Sequence, residues 1–260
     1  MRGDFTRPIC MKAVILAAGI GQRLGKQAAG RPKCLLQPGG VSLLLRHLYY
    51  LQDTAVSEVV IVTGYRQEAI LEELSGFDAG FTIQIRFNPD FTKGSIVSLW
   101  QARAALYSGD DIILMDADVL YDNAIIQTLV TTDVPNCFLL DREFEAGDEP
   151  VKICVLDGRL VEFRKHIDRD LAFDIQGESV GFFRFSSRMA SRLANRAQEY
   201  MDEQRHGEPY EEAIRDLLLA EPDAFGYEDI TGLPWIEIDF PEDIRRAETE
   251  ILSKIKTDAH

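Results

Sequence analysis

Two pairs of carboxylates, and a glycine loop followed by two cations, are the residues of this sequence whose types and spacing could do chemistry. "MDADVLYD" sets Asp116 and Asp118 two residues apart at the end of an apolar run, and "PWIEIDFPED" sets Glu237 and Asp239 at the same spacing near the far end of the chain. Residues i and i+2 share one face of a strand, or its C-terminal tip once the strand has ended, so each pair can offer two hard oxygen ligands to one ion. Mg²⁺ suits such a set, because it takes one or two carboxylates and completes its shell with phosphate oxygens and water. Each pair also has a structural reading. Asp116 and Asp118 could be a solvated strand end leading into a helix, and Asp239-Phe240-Pro241-Glu242 could be a helix capping box. A carboxylate fully engaged in capping is not free to ligate.

The glycine loop is "LAAGIGQRLG", residues 16 to 25, with Gly19, Gly21 and Gly25 spaced G-x-G-x-x-x-G after the apolar run 12 to 18. A dinucleotide fingerprint has one residue fewer between its last glycines and expects an acid for the ribose, whereas the second strand here ends at Thr63-Gly64-Tyr65. A phosphate-binding Walker loop fails too, because Gly25-Lys26 is followed by Gln27 and position 20 is not glycine. What remains is a loop whose backbone N–H groups can wrap a phosphate chain while Arg23 and Lys33 supply charge. Pro32 keeps the backbone before Lys33 stiff and extended. The bland reading is a loop whose glycines only turn the chain.

These residues need a scaffold that brings distant segments together. Strand-like runs at 12–18, 58–64, 81–87 and 111–117 alternate with helical patterns at 42–52, 66–74, 95–106 and about 122–131. That alternation predicts an α/β, Rossmann-like, doubly wound, mainly parallel sheet with helices on both faces. The strand tips of such a sheet are where ligands bind. From about 141 to 185 the pattern changes to an acid-rich loop, two alternating runs joined by Asp157-Gly158, which is a hairpin signal, and a strand at 178–185. Helices near 187–204 and 210–220, a strand at 234–240 and a last helix over about 241–255 complete the chain. We read residues 11–256 as one domain, residues 1–10 as an N-terminal extension, and the antiparallel elaboration at 141–185 as the acceptor side.

Composition narrows the partners. A formal charge of −15 over 260 residues argues against nucleic acid or an anionic membrane as the main partner, so an anionic substrate needs a locally basic pocket. No apolar run reaches the roughly 20 residues that span a bilayer. Cys10, Cys34, Cys137 and Cys154 are too scattered for a disulfide framework or zinc site, which points to the cytoplasm. His47, His166, His206 and His260 fall in no motif, and Trp100 reads as helix packing.

"AVILAAGIGQRLG" followed by "RPKCLL" resembles the signature of nucleotidyltransferases that activate phosphorylated small molecules with a nucleoside triphosphate. With "NPDFTKGSIVSLWQAR", "MDADVLYD", "EPVKICVLDGRLVEFRK", "GESVGFF" and "PWIEIDFPEDI", the chain from 11 to 256 is most similar to the phosphocholine and 2-aminoethylphosphonate cytidylyltransferases of that superfamily. The resemblance implies a GT-A-like nucleotidyltransferase fold and a Mg²⁺-dependent transfer of CMP from CTP to a small phosphorylated or phosphonate amine. It implies that Leu16, Ala17, Ala18, Gly19 and Gly21 face the nucleotide, with Asn88, Gly94, Ser95, Ser98 and Asp116. It assigns Arg23 and Lys33 to the phosphates, Asp118 and Asp239 to the metal, and Lys152 to an acceptor or transition-state phosphate. Glu178, Tyr210, Trp235 and Glu237 would meet the acceptor. Where that branch often has two asparagines this chain has Gly94-Ser95, a departure that bears on base choice.

The acceptor's cationic end separates two cases. A trimethylammonium group has no N–H and favours aromatic walls, here Trp235, Tyr210, Tyr227, Phe182 and Phe183. A primary ammonium needs acceptors such as Glu178, Glu237 or the acidic loop 141–149. Two rivals stand beside this reading: a sugar- or inositol-1-phosphate nucleotidyltransferase, and a non-catalytic nucleotide-binding regulator. A homodimer is compatible with all of them.

Overall fold

The computed structural model describes residues 10–28, 30–144 and 147–256, so most of the expected N-terminal extension lies outside the described residues. The first strand, β1 (Met11–Ala17), is apolar apart from Lys12 because it runs through the centre of the sheet. It pairs in parallel with β2 (Val56–Thr63) on one side and β4 (Asp111–Asp116) on the other. β2 in turn pairs in parallel with β3 (Thr82–Phe87) at the edge. Beyond β4 the direction reverses: β9 (Ile175–Phe185) is antiparallel to both β4 and β6 (Cys137–Asp141), and β10 (Gly226–Asp229) lies parallel to β6. The order is therefore β10-β6-β9-β4-β1-β2-β3. The chain leaves β1 toward β2 and later returns to β4 on the other side, which places the topological switch point between β1 and β4.

Alternate residues of the central strands feed two cores, as the period of two requires. Val14, Val60 and Leu114 face α3 (Ser95–Gln101), α6 (Ser187–Asp202) and α7 (Tyr210–Ala220). Ala13, Ile15, Ile61 and Met115 face α1 (Leu43–Gln52), α2 (Gln67–Leu74) and α5 (Asn123–Thr131). The expected doubly wound sheet is therefore present. The elaboration is also as expected in kind: β7 (Lys152–Leu156) and β8 (Arg159–Arg164) form a hairpin whose Asp157 and Gly158 both take positive φ, and β7 pairs with the early part of β9.

Four boundaries differ from the pattern-based expectation. The helix expected over 95–106 is interrupted at Ala102, giving α3 and the short α4 (Arg103–Leu106). β9 starts before 178, because residues 175–178 pair with β7. The final strand is only β11 (Trp235–Glu237), and it joins not the main sheet but β5 (Val119–Tyr121), as a separate antiparallel pair. The last helix stops as α8 (Pro241–Arg246) and passes into a π-type turn over Ala247–Ile251. A third apolar cluster, including Leu24, Leu43, Leu120, Ile236 and Ile238, packs this terminal region under the β5–β11 pair.

Candidate active site

The β5–β11 pair brings the two acid motifs together. Val119 sits opposite Glu237, and the Ile238 N–H donates to the Asp118 carbonyl at 3.0 Å. Ile236 and Ile238 point into the third core, so Glu237 and Asp239 must face the other way, toward Asp118. Asp118, Glu237 and Asp239 each offer an oxygen within 4.8 Å of the others. Asp239 is free to do so because a neighbour does the capping. The Asp243 carboxylate accepts from the backbone N–H groups of Asp239 (3.1 Å) and Phe240 (2.7 Å) at the start of α8, one residue displaced from the box expected at Asp239 and Glu242.

Lys33 lies in a short 3₁₀ turn after Pro32, whose φ of −54° and ψ of 142° hold the extended approach. Its ammonium donates to Asp118 Oδ2 at 3.0 Å and to Asp239 Oδ1. Burial alone would lower the Lys33 pKa, but the two carboxylates outweigh it and hold the ammonium well above the ordinary lysine range. Arg23 Nη1 donates to Asp239 Oδ2 at 3.1 Å and to Glu149 Oε2 at 2.9 Å.

The surplus of acid shows in the neighbours. Lost solvation, then repulsion from Asp118, Glu211 and Glu237, push the Asp116 carboxyl well above its usual range, although Tyr210 Oη donates to it at 2.8 Å. Much of Glu237 is open to the cleft. Its carboxyl is nonetheless raised, first by lost solvation and then by Asp118 and Asp239. Hard oxygens from three carboxylates, with more negative charge than Lys33 and Arg23 neutralise, fit a hard divalent cation. Asp118, Glu237 and Asp239 are the residues that could hold Mg²⁺.

A cleft of ≈240 Å³ opens beside this cluster at the C-terminal tips of β1 and β4. Leu16, Ala17, Ala18 and Gly19 line one part of it, and Gly94, Ser95 and Ser98 another, so these candidate residues share one cleft. Two other candidate nucleotide residues, Asn88 and Gly21, are not among those lining the cleft. Asn88 is fully buried, donating from Nδ2 to Ser98 Oγ at 3.0 Å and accepting the Asp90 N–H at 2.9 Å. Gly21, with φ +67°, lies against Lys33, and a Cβ there would fall 2.8 Å from Lys33 Cγ. It must be glycine for the lysine to reach the acids.

The expected acceptor residues divide. Trp235 and Glu178 line a wider cavity of ≈600 Å³ beside Glu237 and Asp239, and Trp235 Nε1 donates to Asp141 Oδ2 at 2.7 Å. Tyr210 is buried and tied to Asp116, and its backbone N–H donates to Ser95 Oγ at 2.9 Å, so it braces the cleft rather than caging an ammonium. Lys152 does not meet a phosphate site in this structure. Its ammonium donates to the carbonyls of Gly147 (2.7 Å), Pro150 (3.4 Å) and Lys165 (2.7 Å), holding the hairpin to the loop before it.

Beside Lys33 and Arg23, a further cation near the cluster is Lys165, just beyond β8. It contacts Glu149 Oε2 at 3.4 Å and attracts Glu211 and Glu237 through space. Sequence reasoning passed over Lys165 and Glu211, and reached Glu149 only as the end of the acidic loop 141–149. No local pattern marks them, and only the packing of β8 against α7 brings Lys165 and Glu211 to one place. A bidentate pair between Arg215 and Glu162 (2.6 and 2.7 Å) ties those elements together.

Residues 13–164 match the MobA-like NTP transferase domain. Among curated proteins, the chain is 31% identical over 242 residues to the CMP-5'-(3-aminopropyl)phosphonate synthase of Streptomyces rubellomurinus, covering 92% of this chain and 38% of that protein. It is 27% identical over 244 residues to the bifunctional IPC transferase and DIPP synthase of Rubrobacter xylanophilus, covering 92% of this chain and 52% of that one. The chain thus spans about half or less of the length of these relatives. The solved inositol-1-phosphate CTP transferase from T. maritima has the same fold, with a TM-score of 0.74 at 19% identity over 97% of this chain and 98% of that one.

Proposed function

The chain belongs to the MobA-like NTP transferase family, and we propose that it transfers the cytidylyl group of CTP, with Mg²⁺, to a small phosphorylated or phosphonate amine. One observation carries this reading. The glycine loop after β1, Lys33 and two acid motifs some 120 residues apart in sequence converge at the switch point of the sheet. The likeness to an aminophosphonate CMP synthase supports cytidine and an amine-bearing acceptor.

In the proposed reaction an acceptor oxygen attacks the α-phosphorus of CTP. A new P–O bond forms, the bond to the β-phosphate breaks, and pyrophosphate departs with the electron pair. The acceptor oxygen is already anionic at neutral pH, so no general base is needed. The absence of a paired nucleophile and base near the cleft among the described residues is in keeping with that. The backbone of Leu16 to Gly19 seats the nucleotide, while Arg23 and Lys33 bring positive charge to its phosphates. Mg²⁺ on Asp118 and Asp239, with Glu237 beside them, would supply charge neutralisation at the reacting phosphate. Positioning and charge are the whole of the catalysis in such a transfer.

The competing reading is an inositol or sugar 1-phosphate acceptor, which the solved inositol-1-phosphate CTP transferase keeps in view. A polyol calls for neutral hydrogen-bonding groups, whereas the space beside the cleft is walled by Glu178, Glu149, Glu237 and Trp235. We place the reaction in the cytoplasm, in keeping with four free cysteines, three of them buried. No helix among the described residues is long and apolar enough to cross a membrane.

The test is pyrophosphate release with Mg²⁺ and each of CTP, UTP, GTP and ATP, crossed with phosphocholine, 2-aminoethylphosphonate, inositol 1-phosphate and glucose 1-phosphate. Release confined to CTP and an amine-bearing acceptor is the expected result. Release with inositol or glucose 1-phosphate instead moves the protein to the rival acceptor class. Nucleotide binding without release from any pair overturns the catalytic reading.

A further inference from the structure

Between β8 and the first turn of α7 lies a cavity of ≈50 Å³ that shares Asp116, Tyr210, Glu211 and Glu237 with the nucleotide cleft. It continues past Phe163 and Lys165 into a more open space of ≈280 Å³. Its walls carry both signs of charge, and two features of them are unexplained by nucleotide binding.

The first is Glu149. One carboxylate oxygen, Oε2, is shared by Arg23 Nη1 at 2.9 Å and Lys165 Nζ at 3.4 Å. Two cations from separate segments, one after β1 and one after β8, thus meet on a single anionic oxygen. The Glu149 side chain is 51% exposed, and exposed ion pairs contribute little to stability. An incoming oxyanion with more charge can therefore take its place on Lys165, and Arg23 is then released toward the nucleotide phosphates. The second is Glu211. Its Oε2 is buried and accepts no hydrogen bond. A buried carboxylate oxygen without a donor is costly, and a ligand N–H would relieve it. A trimethylammonium group has no N–H to give, whereas a primary ammonium has three.

Resting on the cytidylyl-transfer reading above, we infer that this cavity receives the acceptor as a zwitterion: its primary ammonium donates to Glu211, and its phosphonate or phosphate replaces the Glu149 carboxylate on Lys165. The acceptor class is then a short ω-amino phosphonate or phosphate ester, not a quaternary ammonium compound. Lys165 rather than Lys152 carries the acceptor's anionic end, and Glu211 sets specificity.

The experiment compares kcat/KM of the full chain with CTP for 2-aminoethylphosphonate, phosphocholine and ethylphosphonate, which lacks the amine. The wild-type protein is expected to prefer 2-aminoethylphosphonate over both others. Glu211→Gln should lower the ratio of 2-aminoethylphosphonate to ethylphosphonate by about 10- to 100-fold, the range of a hydrogen bond to a charged group. Glu211→Asp, which keeps the charge, should restore part of that ratio. Because the readout is a ratio of two substrates on one variant, a general loss of folded protein cancels. Lys165→Met should raise KM for 2-aminoethylphosphonate and ethylphosphonate alike. A preference for phosphocholine, or an unchanged ratio in Glu211→Gln, overturns this assignment while leaving cytidylyl transfer standing. Failure of the wild-type protein to release pyrophosphate with any acceptor overturns the transfer reading, and this inference with it.

Discussion

Lys33 shows how much one side chain decides in this site. Its ammonium joins Asp118, between β4 and β5, to Asp239, which follows β11. All three residues were legible as candidates, because Pro-Lys after a glycine loop and acids at i and i+2 are local patterns. Lys152 was equally attractive in the sequence, yet three backbone carbonyls engage it. Nothing local separates a lysine that meets carbonyls from one that meets phosphate. Asn88 is similar: a polar residue in a candidate binding segment that closes its own turn and braces Ser98. At this scale we expect Asp118→Asn to lower kcat by at least about 100-fold, the loss typical of removing one charge-stabilising group. The thermal midpoint should move by no more than a few degrees, because the substitution relieves repulsion from Glu237 and Asp239 while weakening one contact to Lys33. Steady-state kinetics beside a melting curve checks both. Near-normal turnover would remove Asp118 from the site.

Elements matter through what they hold behind the acids. α1 carries His47, fully buried against Tyr121 of β5, whose Oη lies 3.1 Å from His47 Nδ1, and Phe182 of β9. Burial pushes the His47 pKa down to about 4, partly offset by the Ala117 backbone. In the unfolded chain the imidazole titrates near its ordinary value of about 6.5. Between those two values the unfolded state binds the extra proton, so stability rises with pH across the window. The His47 contribution is therefore complete above about pH 6.5 and lost as pH falls through about 4, an effect on the order of 3 kcal/mol. Urea unfolding at pH 7 and pH 5 should show a smaller drop in His47→Leu than in wild type. An equal drop would mean that other groups govern acid sensitivity. In the sequence His47 fell in no motif and could be read as a surface or a packing residue. That it backs the β5 strand was not legible, because β5 is three residues long and finds its partner more than a hundred residues later.

The whole molecule is strongly acidic, at −15, and gathers three of its carboxylates around one point. A divalent cation bound there stabilises the folded state by mass action, by about 2.7 kcal/mol when free metal is 100 times its dissociation constant. We expect Mg²⁺ with CTP to raise the melting temperature, and Asp239→Asn to abolish that rise. The same rise in the variant would place the metal elsewhere. By itself the sequence determined the alternation of buried strands and helices, hence the doubly wound sheet and the strand tips at which a nucleotide could sit, because hydrophobic periodicity is written residue by residue. It also determined the glycine loop, the two acid pairs and the hairpin at Asp157-Gly158, each carried by neighbours in the chain. Only the tertiary structure decided that β5 and β11 pair apart from the main sheet, that Asp243 rather than Asp239 caps α8, and that Lys165 and Glu211 share a cavity. The first and last of those outcomes depend on contacts between residues 46 to 118 apart, and the cap, although it joins residues three and four apart, depends on which of two nearby acids the start of α8 turns toward its N–H groups; packing sets these choices.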